Sequence, residues 1–345
     1  MKSLNFTAAT SGRRPVAIWL FVCCAMVFCT LVVGGVTRLT ESGLSIVEWQ
    51  PLLGAIPPLT HDDWLLMFEK YKQIPQYQQV NFDMTLDGFQ FIFWWEWVHR
   101  QIGRLIGLVF FIPLVWFWVR GRIPRGYKWK LVGFLILGGL QGAMGWYMVK
   151  SGLVNDVRVS HYRLTAHLGL AFLVFGLMLW TALGLVRERH PRPYAPAGVR
   201  RFALFMLGLV SLMVLSGGLV AGIRAGLAYN TFPLMDGHVI PPDLLAMQPW
   251  WLNFFNNITT VQFDHRLIAW SLIVLVPTLW WKVLRQAPQA SGAANLMLVM
   301  LAVQVSLGIA TLLHHVPVAL GSLHQAGAML LFSTLIYLNH KLRVI

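Results

Sequence analysis

Eight stretches of the chain stay apolar for roughly 20 residues, the length at which an α-helix crosses a ~30 Å hydrocarbon layer. They lie near 16–36, 92–119, 131–149, 162–186, 202–222, 258–284, 294–313 and 318–340. The connections between them are unequal. The longest, about 37–91, carries Trp49, Trp64, Tyr71, Tyr77 and Phe82 among prolines at 51, 57, 58 and 75. The connection at about 223–257 is shorter and also aromatic, with Trp250, Trp251, Phe254 and Phe255. This pattern predicts an all-α integral membrane protein of eight transmembrane helices. It adds a short amphipathic helix near Asp63–Tyr71 that serves either as an interfacial anchor or as a cover for the bundle. The first apolar stretch follows Arg13-Arg14 and resembles a leader, but its spanning length and its internal counterpart predict a retained helix.

The two halves repeat one another. Gly34-Gly35 followed by Glu41-Ser42-Gly43-Leu44-Ser45 matches Gly217-Gly218 followed by Arg224-Ala225-Gly226-Leu227-Ala228. Val98-His99-Arg100-Gln101-Ile102 matches Asp264-His265-Arg266-Leu267-Ile268, Gln141 to Gly145 matches Gln304 to Gly308, and His167 loosely matches His324. Four crossings per half return the chain to the side it started from. The halves, 1–190 and 191–345, are therefore expected to be two parallel four-helix bundles related by a pseudo-twofold axis along the membrane normal, unlike the inverted repeats of many transporters.

Composition agrees: 57% of residues are hydrophobic and only 12% charged, too apolar for an ordinary soluble globule. The net charge of +14 would suit an acidic partner such as nucleic acid, but its distribution follows membrane topology. Segments 1–15, 120–130, 187–201, 282–292 and 341–345 hold 17 of the 27 Lys and Arg and one of the 13 acids, Glu188. By the positive-inside rule these segments and both termini are cytoplasmic. The loops with Asp62, Asp63, Glu69, Asp83, Asp87, Asp156, Asp236 and Asp243 then face the opposite side. The three cysteines, 23, 24 and 29, all fall in the first span, which leaves no disulfide for the outer loops and assigns the thiols to helix packing.

A histidine inside a spanning helix is costly unless it meets protein, water or a metal. One alone would be a hydrogen-bonding residue between helices as readily as a ligand. His99, His167, His265 and His324 stand at matched positions of a duplicated bundle, and each falls in the first half of a helix running inward from the acid-rich face. Two imidazoles facing each other in each half suit bis-histidine ligation of haem iron. Arg100 and Arg266 follow two of these histidines near the outer surface, where they either pair with haem propionates or snorkel to headgroups. Arg104, one turn deeper, needs a buried partner, and Glu96 and Glu48 are candidates.

Glu96 breaks the symmetry. It precedes His99 by three residues, on one helical face, while the second half has the neutral Gln262 at that place. A carboxylate beside one site alone fits proton or cation chemistry there, or else an acid favoured by the helix N-terminus. His61, His161, His190, His238, His314, His315 and His340 fall in loops or at helix ends and are expected to be solvated. No zinc spacing, phosphate loop or nucleophile motif occurs. The Gly103/Gly107 spacing is expected to mark a close helix contact.

Taken together, the run from Gly34 to Ser45, the Glu96-x-x-His99-Arg100 unit, Asn230-Thr231-Phe232-Pro233 and Asp264-His265-Arg266 resemble the haem A synthase family, over nearly the whole chain. The resemblance implies oxidation of the C8 methyl of haem O to the formyl of haem A, for cytochrome oxidase, through successive hydroxylations. It implies a haem b cofactor on His265 and His324 in the C-terminal half, and haem O near His99 and His167 in the N-terminal half with Glu96 beside it. It further implies a bacterial inner membrane and a contact with the farnesyl transferase that makes haem O; oligomerisation is left open. Some members carry a loop cysteine pair that this sequence lacks, so electron delivery through such a pair cannot operate here. Two rival classes share parts of the pattern: a dihaem cytochrome b-like electron carrier, which leaves Glu96 unexplained, and a transporter of haem or another substrate, which the eight-helix repeat alone favours but for which parallel halves with paired histidines give no obvious alternating gate.

Overall fold

A computed structural model describes residues 12–50, 53–154, 156–186 and 195–343. The expected half boundary at 190/191, Pro51, Glu188 and His190 lie outside the described residues. Eleven α-helices organise the described chain: α1 Arg13–Leu39, α2 His61–Lys72, α3 Pro75–Gln79, α4 Leu86–Val119, α5 Lys128–Val154, α6 His161–Val186, α7 Ala197–Gly222, α8 Asn253–Asn256, α9 Ile258–Gln286, α10 Ser291–Leu313 and α11 Val318–Leu342. Eight of them, α1, α4, α5, α6, α7, α9, α10 and α11, are long and apolar enough to cross a membrane, and the protein is a multi-pass membrane protein.

Helix starts follow local chemistry. Thr60 and Asp63 cap α2 reciprocally, the Asp63 N–H donating to Thr60 Oγ1 at 3.2 Å and the Thr60 N–H to Asp63 Oδ2 at 3.0 Å. Asn257 opens α9 by accepting from the N–H groups of Thr259 and Thr260, at 2.9 and 3.2 Å. Pro113 and Pro277 lie inside α4 and α9, a position tolerated where neighbouring helices and local adjustments satisfy the freed carbonyls. At the end of α6, Arg13 donates to the carbonyls of Gly184 and Leu185, at 3.0 and 3.3 Å, and so satisfies groups left over at a helix C-terminus.

In the first half α1 packs on α4 and α6, and α5 on α4 and α6. In the second, α7 packs on α9 and α11, and α10 on α9 and α11. The halves meet where α1 touches α11, α6 touches α7, and α6 touches α11. Leu20, Cys23, Met178, Met206, Met329 and Leu335 fill this meeting zone, each almost wholly buried. Cys24 is also buried, whereas Cys29 is exposed. Exposed apolar residues such as Leu108, Ile112, Leu140, Leu204 and Val274 cover the outward helix faces, as a lipid-facing surface requires.

The long first loop covers α4. The side chains of Phe68 and Tyr71 on α2 are buried against Phe89, with ring centroids 5.1 and 5.3 Å away, and Trp64 meets Phe93 edge-on at 4.9 Å. Of the two expectations for this segment, packing on the protein is what the contacts show. Two other expectations are corrected. A Cβ added at Gly103 or Gly107 would meet nothing within 4 Å, so that spacing marks no close helix contact. His340 is buried, not solvated, because α11 continues to Leu342 and sets the imidazole edge-on to Trp180, 5.2 Å between centroids.

Candidate functional site

Each of the four intramembrane histidines lies against a glycine on the neighbouring helix of its own half. A Cβ at Gly34 of α1 would stand 2.8 Å from His99 Cε1, and one at Gly217 of α7 would stand 3.4 Å from His265 Cε1. The corresponding distances are 3.1 Å from Gly145 of α5 to His167 and 2.9 Å from Gly308 of α10 to His324. Glycine at these places lets an imidazole lie on the bare backbone of the next helix.

The doubled glycines serve two neighbours at once. Gly35, beside Gly34, faces Gln325 of α11, and Gly218, beside Gly217, faces Thr165 of α6. Each Gly-Gly pair thus admits a histidine of its own half on one side and a helix of the other half on the next. Gln325 Nε2 ties this second contact by donating to the Leu31 carbonyl at 3.0 Å.

Hydrogen bonding around the rings is unequal. The Gln304 amide nitrogen donates to the His324 carbonyl at 2.9 Å and lies 3.1 Å from His324 Nδ1. Gln141 repeats this at His167, with 3.1 Å to the carbonyl and 3.2 Å to Nδ1. Ser216 Oγ lies 3.0 Å from His265 Nδ1. His99 Nδ1 is buried with no hydrogen-bond partner, since the residue matching Ser216 is Val33. His167 lies near enough to His99 to interact electrostatically, as does His324 to His265. Among the described residues no group of three or more His, Cys, Asp or Glu is arranged to hold a bare metal ion. Paired imidazoles beside glycine faces fit a group that brings its own equatorial ligands, as haem does.

Glu96 and Gln262 both fasten the long loop that precedes their helix. The Glu96 carboxylate is buried and accepts from Ser45 Oγ at 2.7 Å, from the Ile46 N–H at 2.8 Å, and from Arg100. Arg100 also donates to the Ile46 carbonyl at 3.0 Å. In the second half the Gln262 amide donates to the carbonyls of Ala225 and Tyr229, at 2.7 and 3.3 Å, while its oxygen accepts from Arg266 at 3.2 Å. Arg266 donates to the carbonyls of Tyr229, Thr231 and Leu234, at 2.8, 3.0 and 3.2 Å. Both arginines are thus turned back into the loops and are not snorkelling away from the protein.

Arg104 meets Gln101 Oε1 and the Gln50 carbonyl, each at 3.2 Å, not the carboxylates expected for it. Glu96 is taken by Arg100, and Glu48 by Lys70 at 2.7 Å. Glu41 and Arg224, matched positions of the two loops, form an ion pair between the halves, and both have positive φ, 56° and 58°. The remaining loop histidines stay apart from the site. His161 bonds Asn256 at 2.8 Å, and His61, His314 and His315 are exposed.

Sequence reasoning missed the partners Gln141, Gln304, Ser216 and the four glycines as functional residues. The signal was available for most of them, because Gln141 to Gly145 and Gln304 to Gly308 align in the repeat, as do the two Gly-Gly pairs.

Comparison with known proteins bears on this arrangement. Residues 17–336 match the family described as cytochrome oxidase assembly protein. The chain is 58% identical over 338 residues to the haem A synthase of Nitrosospira multiformis, covering 96% of this chain and 94% of that protein. It is 57% identical over 338 residues to the haem A synthase of Nitrosomonas eutropha, covering 96% and 95% respectively. With that of Parvibaculum lavamentivorans it shares 49% identity over 332 residues, 96% of this chain and 95% of that protein.

Proposed function

The chain belongs to the haem A synthase family of cytochrome oxidase assembly proteins, and from that premise we propose that it oxidises the C8 methyl of haem O to a formyl group by successive hydroxylations. It is an oxidoreductase embedded in the membrane. One observation carries the assignment of roles: four histidines stand against four glycines at equivalent places of two helix rings, yet only one ring joins its arginine to a carboxylate. The matching contacts of the two rings support reading them as parallel repeats about an axis along the membrane normal.

In this reading the C-terminal half holds haem b through His265 and His324, whose Nδ1 atoms both have polar neighbours. Such neighbours orient a ligating imidazole and set its basicity. When bound, haem b supplies a one-electron iron centre. The N-terminal half receives haem O between His99 and His167. His99 lacks the Nδ1 partner that the other three imidazoles have. Glu96 holds Arg100 and the loop segment Ser45-Ile46 in place over the site at this half. Arg100 and Arg266 take the propionates by exchanging some loop carbonyls for carboxylate oxygens, a stronger, bidentate partner. The protein sits in a bacterial inner membrane with both termini cytoplasmic, and receives haem O by contact with haem O synthase.

Haem analysis of the purified protein, expressed with a supply of haem O, tests the proposal. Hydroxymethyl and formyl haem are expected in wild type, and His265→Ala is expected to lose haem b. Protein that keeps haem b but never yields an oxidised side chain is a dihaem electron carrier and not a synthase. Normal haem b spectra in His265→Ala would overturn the ligand assignment.

A further inference from the structure

The end of the bundle opposite the histidines carries its charge unevenly. The turn from α4 to α5 and the first residues of α5 hold Arg120, Arg122, Arg125, Lys128 and Lys130, all exposed, and no acid occurs between Glu96 and Asp156. The matching connection of the second half has Lys282 and Arg285, with no further Lys or Arg before Lys341. Sorting of cations to one side of a membrane does not call for such a concentration at one corner. Ion pairs such as Lys70–Glu48, Lys72–Glu69 and Arg100–Glu96 lie at the histidine end, and among the described residues none is made by these five cations.

The corner is a fixed scaffold and not a loose basic loop. Gly121 takes φ 63°, and the N–H groups of Gly121 and Arg122 donate to the Trp118 and Phe117 carbonyls at 3.0 and 2.9 Å, the paired closure of a helix C-terminus. The Tyr127 N–H donates to the Pro124 carbonyl at 3.1 Å, and Ile123 is buried. Indole rings hold two of the cations. Arg122 lies 5.2 Å from the Trp116 ring centre and Lys128 5.0 Å from that of Trp118, which meets Trp129 edge-on at 6.3 Å. Apolar stripes run from this point along both helices. Leu108, Ile112, Val115 and Val119 recur at helical spacing on α4 and are exposed. On α5 Trp129, Ile136 and Leu140 do the same, and Gly133 between them faces open space. The α4 stripe is roughly 16 Å long, the thickness of half a hydrocarbon core.

We propose that this corner seats an anionic phospholipid, its phosphate among Arg122, Arg125 and Lys128, Trp118 and Trp129 at the level of its glycerol, and its acyl chains along the two stripes. The basic turn and the apolar stripes are then used together. A free phosphate would leave the stripes empty, and an acidic soluble protein would have to cover side chains that face lipid. A zwitterionic lipid brings a cation of its own and gains little from five more. A second copy docked symmetrically would set these cations against their own duplicates, a like-charge contact that suppresses pairing. α5 is the least buried of the eight spans, so lipid is the neighbour that most of its surface meets. Anchoring its end bears on the site, since Gln141 and Gly145 of the same helix meet His167. The seat itself does not depend on the haem assignments.

The experiment uses the full-length protein in nanodiscs of equal parts phosphatidylglycerol and phosphatidylcholine, with a diazirine on an acyl chain of one lipid or the other. After photolysis the labelled peptides are mapped by mass spectrometry. The phosphatidylglycerol probe is expected to label 108–119 and 129–140 well above the phosphatidylcholine probe, and millimolar inorganic phosphate is expected not to lower the yield. A cation near a membrane surface strengthens binding to anionic lipid about fivefold. Arg122→Gln with Lys128→Gln is therefore expected to lower phosphatidylglycerol retention in native mass spectrometry about 25-fold. Lys282→Gln with Arg285→Gln removes the same charge elsewhere and is expected to leave retention unchanged, as is the charge-keeping pair Arg122→Lys with Lys128→Arg. Equal labelling by both lipids, labels confined to other helices, displacement by phosphate, or equal losses in the two glutamine pairs overturns the proposal. So does cross-linking of two copies through Trp129 in place of lipid labelling. Labelling of the wild type decides the question even where a glutamine variant fails to fold.

Discussion

Gly34 lies so close to the His99 imidazole that a methyl group at residue 34 would come within 2.8 Å of Cε1, whereas the matching Gly217 leaves 3.4 Å to His265. The first distance demands movement and the second is ordinary contact. Gly34→Ala is therefore expected to displace the His99 ring and to cost about 1–3 kcal/mol of stability, the usual penalty for overpacking. Gly217→Ala should leave His265 in place. Thermal unfolding in detergent with haem absorbance spectra of both variants checks this. Equal behaviour of the two would show that the imidazoles do not rest on these glycines.

Glu96 is joined to Arg100 and to the loop at Ser45 and Ile46, and all of these contacts are lost in Glu96→Ala. Removing one member of a buried ion pair costs roughly 3–5 kcal/mol, because the other charge is left behind. Glu96→Gln is a different case. An amide keeps one acceptor, as Gln262 does for Arg266, but its NH2 replaces an oxygen that accepts from the loop or from Arg100, so part of the contact is lost. Glu96→Gln is expected to fold with a lowered melting temperature and to lose haem A formation. Retained turnover in well-folded Glu96→Gln would reduce Glu96 to a loop anchor.

Much of this arrangement was legible in the chain. Apolar length alone placed the eight spans, since hydrocarbon thickness fixes helix length. The matched histidines were visible because a duplicated sequence shows its register directly. What stayed hidden depended on side-chain direction. The sequence puts Glu96 and His99 on one helical face, but not that the carboxylate turns to Ser45 and Ile46 while the imidazole turns to Gly34. Nor does a GxxxG spacing tell whether its glycines face a helix or the membrane; at Gly103 and Gly107 they face open space. His340 was misplaced for a similar reason, as the end of a helix in sequence is not the end of its buried face.

The covering helix α2 depends on its capping pair at Thr60 and Asp63. Hydrogen bonds from the Thr60 and Leu59 backbone and from the Thr60 side chain hold the Asp63 carboxyl below its ordinary 3.8. A depressed folded value stabilises the helix above the unfolded value and is lost as pH falls through the folded one. The protection of residues 60–66 against hydrogen exchange, relative to the intrinsic rate at each pH, is expected to fall below about pH 4, and Asp63→Ala should show the low protection already at neutral pH. Protection in that variant equal to wild type would mean that packing on Phe89 and Phe93 alone holds α2.

Gln304 offers the sharpest test of the proposed cofactor half, since it touches His324, the proposed iron ligand, at both Nδ1 and the carbonyl. Removing a partner of a ligating imidazole commonly lowers affinity for the metal group 10–100-fold. Gln304→Leu keeps the size and loses both contacts, so haem b retention during purification is expected to fall by about that factor, while the helices stay assembled. Gln141→Leu changes the matching residue at His167 and should leave haem b content unaltered. Haem titration of the two variants, followed by absorbance, separates the halves. Loss of haem b in Gln141→Leu, with none in Gln304→Leu, would reverse the assignment of cofactor and substrate to the two rings.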